Sequence, residues 1–129
     1  MLNIRSLLLA AATAVAALCL LPPSNHVDSA IYQGCLPGSL KSTLYKIRKR
    51  YGPPRVISAH RPGARIRGTG KRSYHASCRA VDFHPPRGQY RAVLSWLKAN
   101  HSGGVGTYSG KFHHIHIDNG PRTRWHKRY

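Results

Sequence analysis

The chain concentrates polar side chains in one short segment, Phe112-His113-His114-Ile115-His116-Ile117-Asp118. From His114 onward, imidazole or carboxylate side chains alternate with isoleucines. Successive side chains of a β-strand point to opposite faces, so the alternation predicts a strand with His114, His116 and Asp118 on one face. Ile115 and Ile117 then point into a core. We therefore expect this strand to form one wall of a metal-binding or catalytic site.

The composition is strongly basic. The 129 residues include 21 Lys plus Arg but only three acidic residues, and the formal net charge is +18. A chain of this length suits one domain. This charge favours polyanionic partners such as nucleic acid, an anionic membrane or an acidic cell-wall polymer, although a basic surface that only aids solubility is the alternative. Because glutamate is absent, a catalytic base must be His, Asp, Tyr, Lys or a metal-activated hydroxide.

The N-terminal region has the pattern of an export signal. Arg5 precedes an apolar run over residues 7–21, and Pro22 follows the run. The run is shorter than the roughly 20 residues that a membrane-spanning helix needs. We predict a signal peptide over residues 1–29 and one folded domain over residues 30–129, in the periplasm or secreted. No membrane span is expected after processing, although a retained anchor is the alternative.

Export also changes the interpretation of the cysteines. Of the three cysteines, Cys35 and Cys78 would remain after processing. An even pair in an exported domain is typical of a disulfide, which would tie the N-terminal segment to the middle of the domain. Two free buried thiols are the alternative.

Hydrophobic periodicity predicts two helices and four strands. The helices are expected at Ser39–Tyr51 and Gln89–Asn100, and the strands at Arg55–Ala59, Ala80–His84, Gly103–Tyr108 and in the histidine-rich segment. The Gly- and Arg-rich stretch His60–Ser73 is predicted to be a functional loop. The tail from Gly120 receives no regular element. This order predicts an α+β fold, with a small, mainly antiparallel sheet and two flanking helices.

A second segment supplies partners for the histidine-rich strand. His75 lies at the end of the predicted loop, and Asp82 lies on a predicted strand. With His116 they give two imidazoles and one carboxylate, a set that suits Zn²⁺. Three protein ligands with one open position are typical of catalytic zinc sites, where the metal lowers the pKa of its bound water toward ~7.

These motifs resemble a known group of enzymes. The spacing of His75 and Asp82, combined with the pair His114 and His116, is similar to the zinc peptidase superfamily of D-Ala-D-Ala carboxypeptidases, lysostaphin-type endopeptidases and the hedgehog domain. Further motifs resemble its bacterial exported carboxypeptidase-like branch: Gly104-Val105-Gly106-x-Tyr108, His116-Ile117-Asp118-x-Gly120 and Arg122-x-Arg124-Trp125. The resemblance implies the corresponding fold. It also implies that His75, Asp82 and His116 bind zinc, and that His114 stabilises the tetrahedral intermediate or moves a proton.

The chain departs from the dipeptidase pattern at one position. Such carboxypeptidases place a glutamate, the general base, three residues before the last histidine ligand. His113 occupies that position here, and on a regular strand it would point away from His116. Either His114 or Asp118 then takes over proton transfer, or activity is weak or absent. Asp118 could instead orient a ligand imidazole. The resemblance further implies that Arg61, in a Ser-x-x-Arg pattern, holds substrate.

The sequence thus predicts an exported zinc metallopeptidase that cleaves peptidoglycan stem peptides, as a carboxypeptidase or an endopeptidase. Its expected partners are peptidoglycan peptides and the anionic surface of the wall or envelope. A non-catalytic zinc domain that binds the cell wall is the first alternative. A basic nucleic-acid-binding protein, suggested only by charge, is the second. Because the export signal argues against it, we expect no specific nucleic-acid partner.

Overall fold

The computed structural model describes residues 34–128, so the predicted signal peptide over residues 1–29 lies outside the described residues. The elements are helix α1 (Gly38–Tyr51), strand β1 (Arg55–Ser58), a 3₁₀ turn (Tyr74–Ser77), strand β2 (Ala80–His84), helix α2 (Tyr90–Asn100), strand β3 (Val105–Ser109), a second 3₁₀ turn (Gly110–Phe112), strand β4 (Ile115–Asp118) and strand β5 (Arg124–Arg128). Within the described range, neither helix is long and apolar enough to cross a bilayer.

The five strands form one sheet in the order β1-β2-β4-β3-β5. Neighbouring strands are antiparallel except β3 and β5, which run parallel. Two helices and a mainly antiparallel sheet confirm the predicted α+β fold class.

Strand β5 is the element that the sequence prediction misses. Its sequence, Arg-Trp-His-Lys-Arg, lacks the aliphatic alternation by which strands are recognised. It forms a strand because it pairs with β3 from Arg124 to Arg128. At the edge of the sheet its basic side chains can stay hydrated, and charged edge strands also resist pairing with other chains.

Both helices pack on one face of the sheet. Helix α1 buries one apolar stripe and is capped by Gly52, which has a φ of 103° and is followed by two prolines. The fully buried aliphatic and aromatic side chains of this core are Leu40, Leu44, Ile47, Val81, Phe83, Val93, Leu97, Val105, Ile115 and Ile117. Because side chains alternate along β2 and β4, the residues between these apolar ones lie on the other face.

That other face carries a row of aligned residues across four strands. The pairing register places Asp82 beside His116, His116 beside Gly106, and Gly106 beside Trp125. A Cβ atom on Gly106 would collide with the indole ring of Trp125. A glycine at this position therefore lets the indole lie against the sheet, next to the polar residues.

A disulfide joins Cys35 to Cys78, as the sequence predicts, with 5.8 Å between the two Cα atoms. Cys78 ends the first 3₁₀ turn in a left-handed conformation, with a φ of 57°. Its N–H donates to the carbonyl oxygen of His75 at 3.3 Å. The disulfide thus anchors the turn that presents His75.

Candidate metal centre and cleft

Three buried residues form a group that could hold a metal ion. His75, Asp82 and His116 each offer one ligand atom, and these atoms all lie within 4.8 Å of one another. His116 Nδ1 is 2.8 Å from Asp82 Oδ1 and 3.2 Å from His75 Nε2. The sequence predicts these three residues as zinc ligands, and the structure brings them together from the first 3₁₀ turn, β2 and β4. We call them the ligand group.

The imidazole of His75 is fixed by a backbone contact. Its Nδ1 lies 2.6 Å from the carbonyl oxygen of Ala59, so Nδ1–H donates to that carbonyl. The lone pair of the neutral ring is then on Nε2, which faces Asp82 at 3.2 Å. The N–H of Arg61 also donates to the carbonyl of His75 at 3.0 Å, which ties the Arg-rich loop to the same turn.

The imidazole of His116 is fixed by a contact with the side chain of Asp118. Asp118 Oδ2 lies 3.1 Å from His116 Nε2, and Asp118 Oδ1 accepts from the N–H groups of Gly104 at 3.1 Å and Gly120 at 2.8 Å. A Cβ atom on Gly104 would collide with this carboxylate. Asp118 is therefore placed to orient His116, with Nδ1 toward the ligand group. Its role in proton transfer stays a prediction.

The titration of these groups reflects their close contact. Burial would raise the pKa of Asp82, but hydrogen bonds and charge from His116 and His75 outweigh it and hold that pKa well below its usual range. Burial would also raise the pKa of Asp118, yet that pKa is lowered. Conversely, burial would lower the pKa of His116, and hydrogen bonds with Asp118 and Asp82 raise it. The carboxylates thus favour positive charge at the centre, which a bound cation would also supply.

His114 lies beside the ligand group but not in the strand. Strand β4 begins at Ile115, so the prediction that the strand includes residues 112–114 is wrong. The chain instead forms the second 3₁₀ turn immediately before His114. His114 Nε2 is nevertheless 3.9 Å from Asp82 Oδ1, and its ring stacks on Tyr108 with 4.3 Å between centroids.

His113 is directed to the helix side of the sheet. Its ring lies 4.3 Å from that of Tyr90, the first residue of α2, and it does not line the cleft above the ligand group. The position of the dipeptidase glutamate therefore supplies no group to this centre.

The ligand group lies in a cleft of about 540 Å³. Four basic side chains line it: Arg61, Arg65, Arg67 and Lys127. Arg61 Nη2 is 3.6 Å from Asp82 Oδ2 while 54% of its side chain is exposed, so it can contact both the centre and a bound molecule. Arg65 donates to the carbonyl oxygen of Gly70 at 2.9 Å and thereby holds the loop.

The cleft wall includes residues that the sequence analysis does not single out as functional. Tyr108 stacks on His114 and meets Trp125 edge to face, with 5.0 Å between centroids. The Trp125 ring is also 5.4 Å from the His116 ring. On β5, Trp125 and Lys127 share a face, and this alternation is the signal that could have placed them together.

Comparison with known proteins agrees with the geometry. Residues 24–118 match the family model described as Peptidase M15. The chain is 33% identical over 99 residues to peptidoglycan L,D-endopeptidase MepK of Escherichia coli strain K12, which corresponds to 69% of this chain and 53% of that protein. MepK of Shigella flexneri gives the same values.

The chain spans about half the length of the curated relatives that it matches. No solved structure gives a significant match. The family match covers most of the chain and includes the whole ligand group. The chain therefore belongs to the peptidase M15 family, the zinc D-Ala-D-Ala carboxypeptidase-like group that its motifs resemble.

Proposed function

We propose that the protein is an exported zinc endopeptidase that cleaves peptide bonds in the stem peptides of peptidoglycan. The observation that carries the proposal is the buried His-Asp-His group in an open cleft. Membership of the peptidase M15 family supports peptide hydrolysis. The similarity to proteins named peptidoglycan L,D-endopeptidase favours that substrate, and an endopeptidase over a carboxypeptidase.

The donor set fits zinc. Two imidazole nitrogens and one carboxylate oxygen are ligands that Zn²⁺ accepts, and three protein ligands leave a fourth position for water or substrate. Hydrogen bonds to Ala59 and Asp118 fix both imidazoles with a lone pair toward the centre. When bound, zinc supplies Lewis-acid activation of water and of the peptide carbonyl.

The chain supplies the remaining chemical groups. His114, 3.9 Å from Asp82 Oδ1, is close enough to the centre to donate a hydrogen bond to the developing oxyanion or to move a proton. Tyr108 stacks on His114 and so helps to fix the plane of its imidazole. Arg61, at the edge of the centre, binds a substrate carboxylate.

Location and charge fit the same proposal. The N-terminal pattern of residues 1–29 supports export to the compartment where peptidoglycan lies. The net charge of +18 favours association with an anionic wall. Asp82 and Asp118 are both buried at the centre, so no acidic side chain is exposed among residues 34–128.

A non-catalytic zinc domain that binds the cell wall is the second candidate. It is favoured by His113, which stands where dipeptidases carry their glutamate and packs against Tyr90 instead of facing the centre. In this candidate the same cleft binds wall peptides without cutting them.

The test combines metal analysis with turnover. The purified protein is assayed for zinc and incubated with cross-linked peptidoglycan fragments, whose products are separated by mass. We expect bound zinc and new peptide ends, loss of activity with a chelator, and recovery on adding zinc. A protein that does not take up zinc would contradict both candidates.

His114→Ala separates the two candidates. If His114 stabilises the oxyanion, its loss should lower kcat by about 10²-fold or more while zinc content is unchanged. Peptide binding with no hydrolysis by the zinc-loaded wild type would favour the non-catalytic domain.

A further inference from the structure

The cleft carries positive charge near both edges of the sheet. Arg61 follows β1 and lies 3.6 Å from Asp82 of β2. Lys127 lies on β5, the opposite edge strand, and lines the same cleft. The ligand group, on β2, β4 and the first 3₁₀ turn, lies between these two cations in the order of the sheet.

The sheet indicates roughly how far apart the two cations lie. Between β2 and β5 there are three strand spacings, through β4 and β3. With about 4.8 Å per spacing, this amounts to roughly 14 Å. An extended peptide advances about 3.3 Å per residue, so roughly four residues would bridge the distance. A peptide that crosses the sheet face can therefore contact both cations.

Lys127 is available to an external anion. Its Nζ lies 5.7 Å from the centroid of the Trp125 ring, which places the ammonium group at the cleft wall. Among residues 34–128, both carboxylates are engaged at the centre and neither pairs with Lys127. Lys127 also lies beyond residues 24–118, the part of the chain matched by the family model.

We propose that Lys127, beside Trp125, forms a second anion-binding subsite, which takes a substrate carboxylate on the other side of the scissile bond from Arg61. The inference rests on the proposed function, because it assumes that the cleft binds a peptide. It specifies the substrate class: a peptide with a free carboxylate on each side of the cleaved bond, about four residues apart. A lysine offers a point charge with three donors, which suits a single carboxylate.

The experiment compares three synthetic peptides: one with both carboxylates and two in which one carboxylate is an amide. Affinity for the zinc-loaded protein is measured by stopped-flow tryptophan fluorescence before turnover, because Trp125 lies in the cleft. The variants are Lys127→Gln and Arg61→Gln. Arg128→Gln is the matched control, because it removes the same charge from the same strand and does not line the cleft.

For the wild type, we expect each amidation to weaken binding by about three- to tenfold, the range of a partly exposed ion pair with charge-assisted hydrogen bonds. In Lys127→Gln the effect of one amidation should disappear while the other remains, and in Arg61→Gln the reverse should hold. Arg128→Gln should discriminate among the peptides as the wild type does.

Three results would overturn the subsite: a wild type that binds all three peptides equally, a Lys127→Gln variant that keeps both discriminations, or an Arg128→Gln variant that behaves as Lys127→Gln does. Failure of the proposed function has a different signature, because it is seen as absence of cleavage. The fluorescence measurement does not depend on cleavage.

Discussion

The two faces of strand β4 are both buried, but their side chains differ in chemistry. Ile115 and Ile117 are 0% exposed beneath the two helices, while His116 and Asp118 are 6% and 5% exposed on the cleft side. The isoleucines stabilise the fold because folding removes their apolar side chains from water. Burial of the ionisable pair instead has a desolvation cost, which its hydrogen bonds offset. Burial on one face therefore serves stability, and on the other it serves the orientation of ligand atoms.

The sharpest test of this contrast replaces neighbouring residues of β4. For His116→Ala, we expect zinc binding and peptide hydrolysis to fall to background, because one of the three proposed ligands is lost. The fold should persist, since the core face is untouched. Metal content, turnover and a circular dichroism spectrum measure the three quantities.

The matched control is the next residue along the strand. Ile117→Ala should lower the free energy of unfolding by about 2–5 kcal/mol, as buried large-to-small substitutions do, and should leave zinc stoichiometry unchanged. Denaturant titration measures the loss. If Ile117→Ala released zinc while still folded, the division of roles between the two faces would be wrong.

A smaller effect on zinc affinity is expected for Asp118, which contacts the imidazole of His116. In Asp118→Asn the side chain keeps its shape but no longer offers two carboxylate oxygens, so His116 loses its negatively charged partner. Loss of such a supporting residue typically costs 10- to 100-fold in metal affinity, so we expect a zinc Kd higher by about that factor. Competition with a chromophoric chelator measures it. An unchanged Kd would show that the backbone alone positions His116.

The smallest expected effect is on the pH dependence of stability. As the pH rises, the contribution of His116 to the stability of the metal-free protein should fall, whereas zinc binding should strengthen. In the metal-free protein the pKa of His116 is raised from 6.5 by Asp118 and Asp82 against the effect of burial. Its contribution to stability is therefore fully present below pH 6.5 and is lost as the pH rises through the raised pKa. Zinc needs the neutral ring, so metal binding strengthens over the same rise.

Denaturation midpoints at pH 5.5 and 8.5, with a chelator or with zinc, measure this difference. We expect the metal-free midpoint to fall with pH relative to His116→Ala, and the gain in midpoint on adding zinc to rise. A metal-free midpoint with the same pH dependence in wild type and His116→Ala would contradict the assignment to this histidine.

The sequence predicts the parts of the site that follow from periodicity and spacing. His116 and Asp118 lie on a strand of alternating residues, and the spacing of His75 and Asp82 is a recognisable motif. The strand was predicted to start too early because His113 and His114 continue the run of histidines, although the second 3₁₀ turn, Gly110–Phe112, lies directly before them. Polarity alone does not distinguish such a turn from a strand.

Strand β5 could not be predicted for a different reason. Its pairing with β3 is a long-range contact, and its own residues have the composition of a solvated tail. Trp125 and Lys127 enter the cleft only through that pairing. The part of the site that is missed thus depends on tertiary structure, whereas the part that is found is local.

The disulfide between Cys35 and Cys78 links the candidate site to the redox state of its surroundings. The bond spans 43 residues, which include α1, β1, the Arg-rich loop and His75. Closing a loop of this length reduces the entropy of the unfolded chain and stabilises the fold by about 4 kcal/mol. A reducing compartment removes that contribution from the segment that presents His75 and Arg61. An oxidising one preserves it, so the compartment itself helps to hold the centre in place.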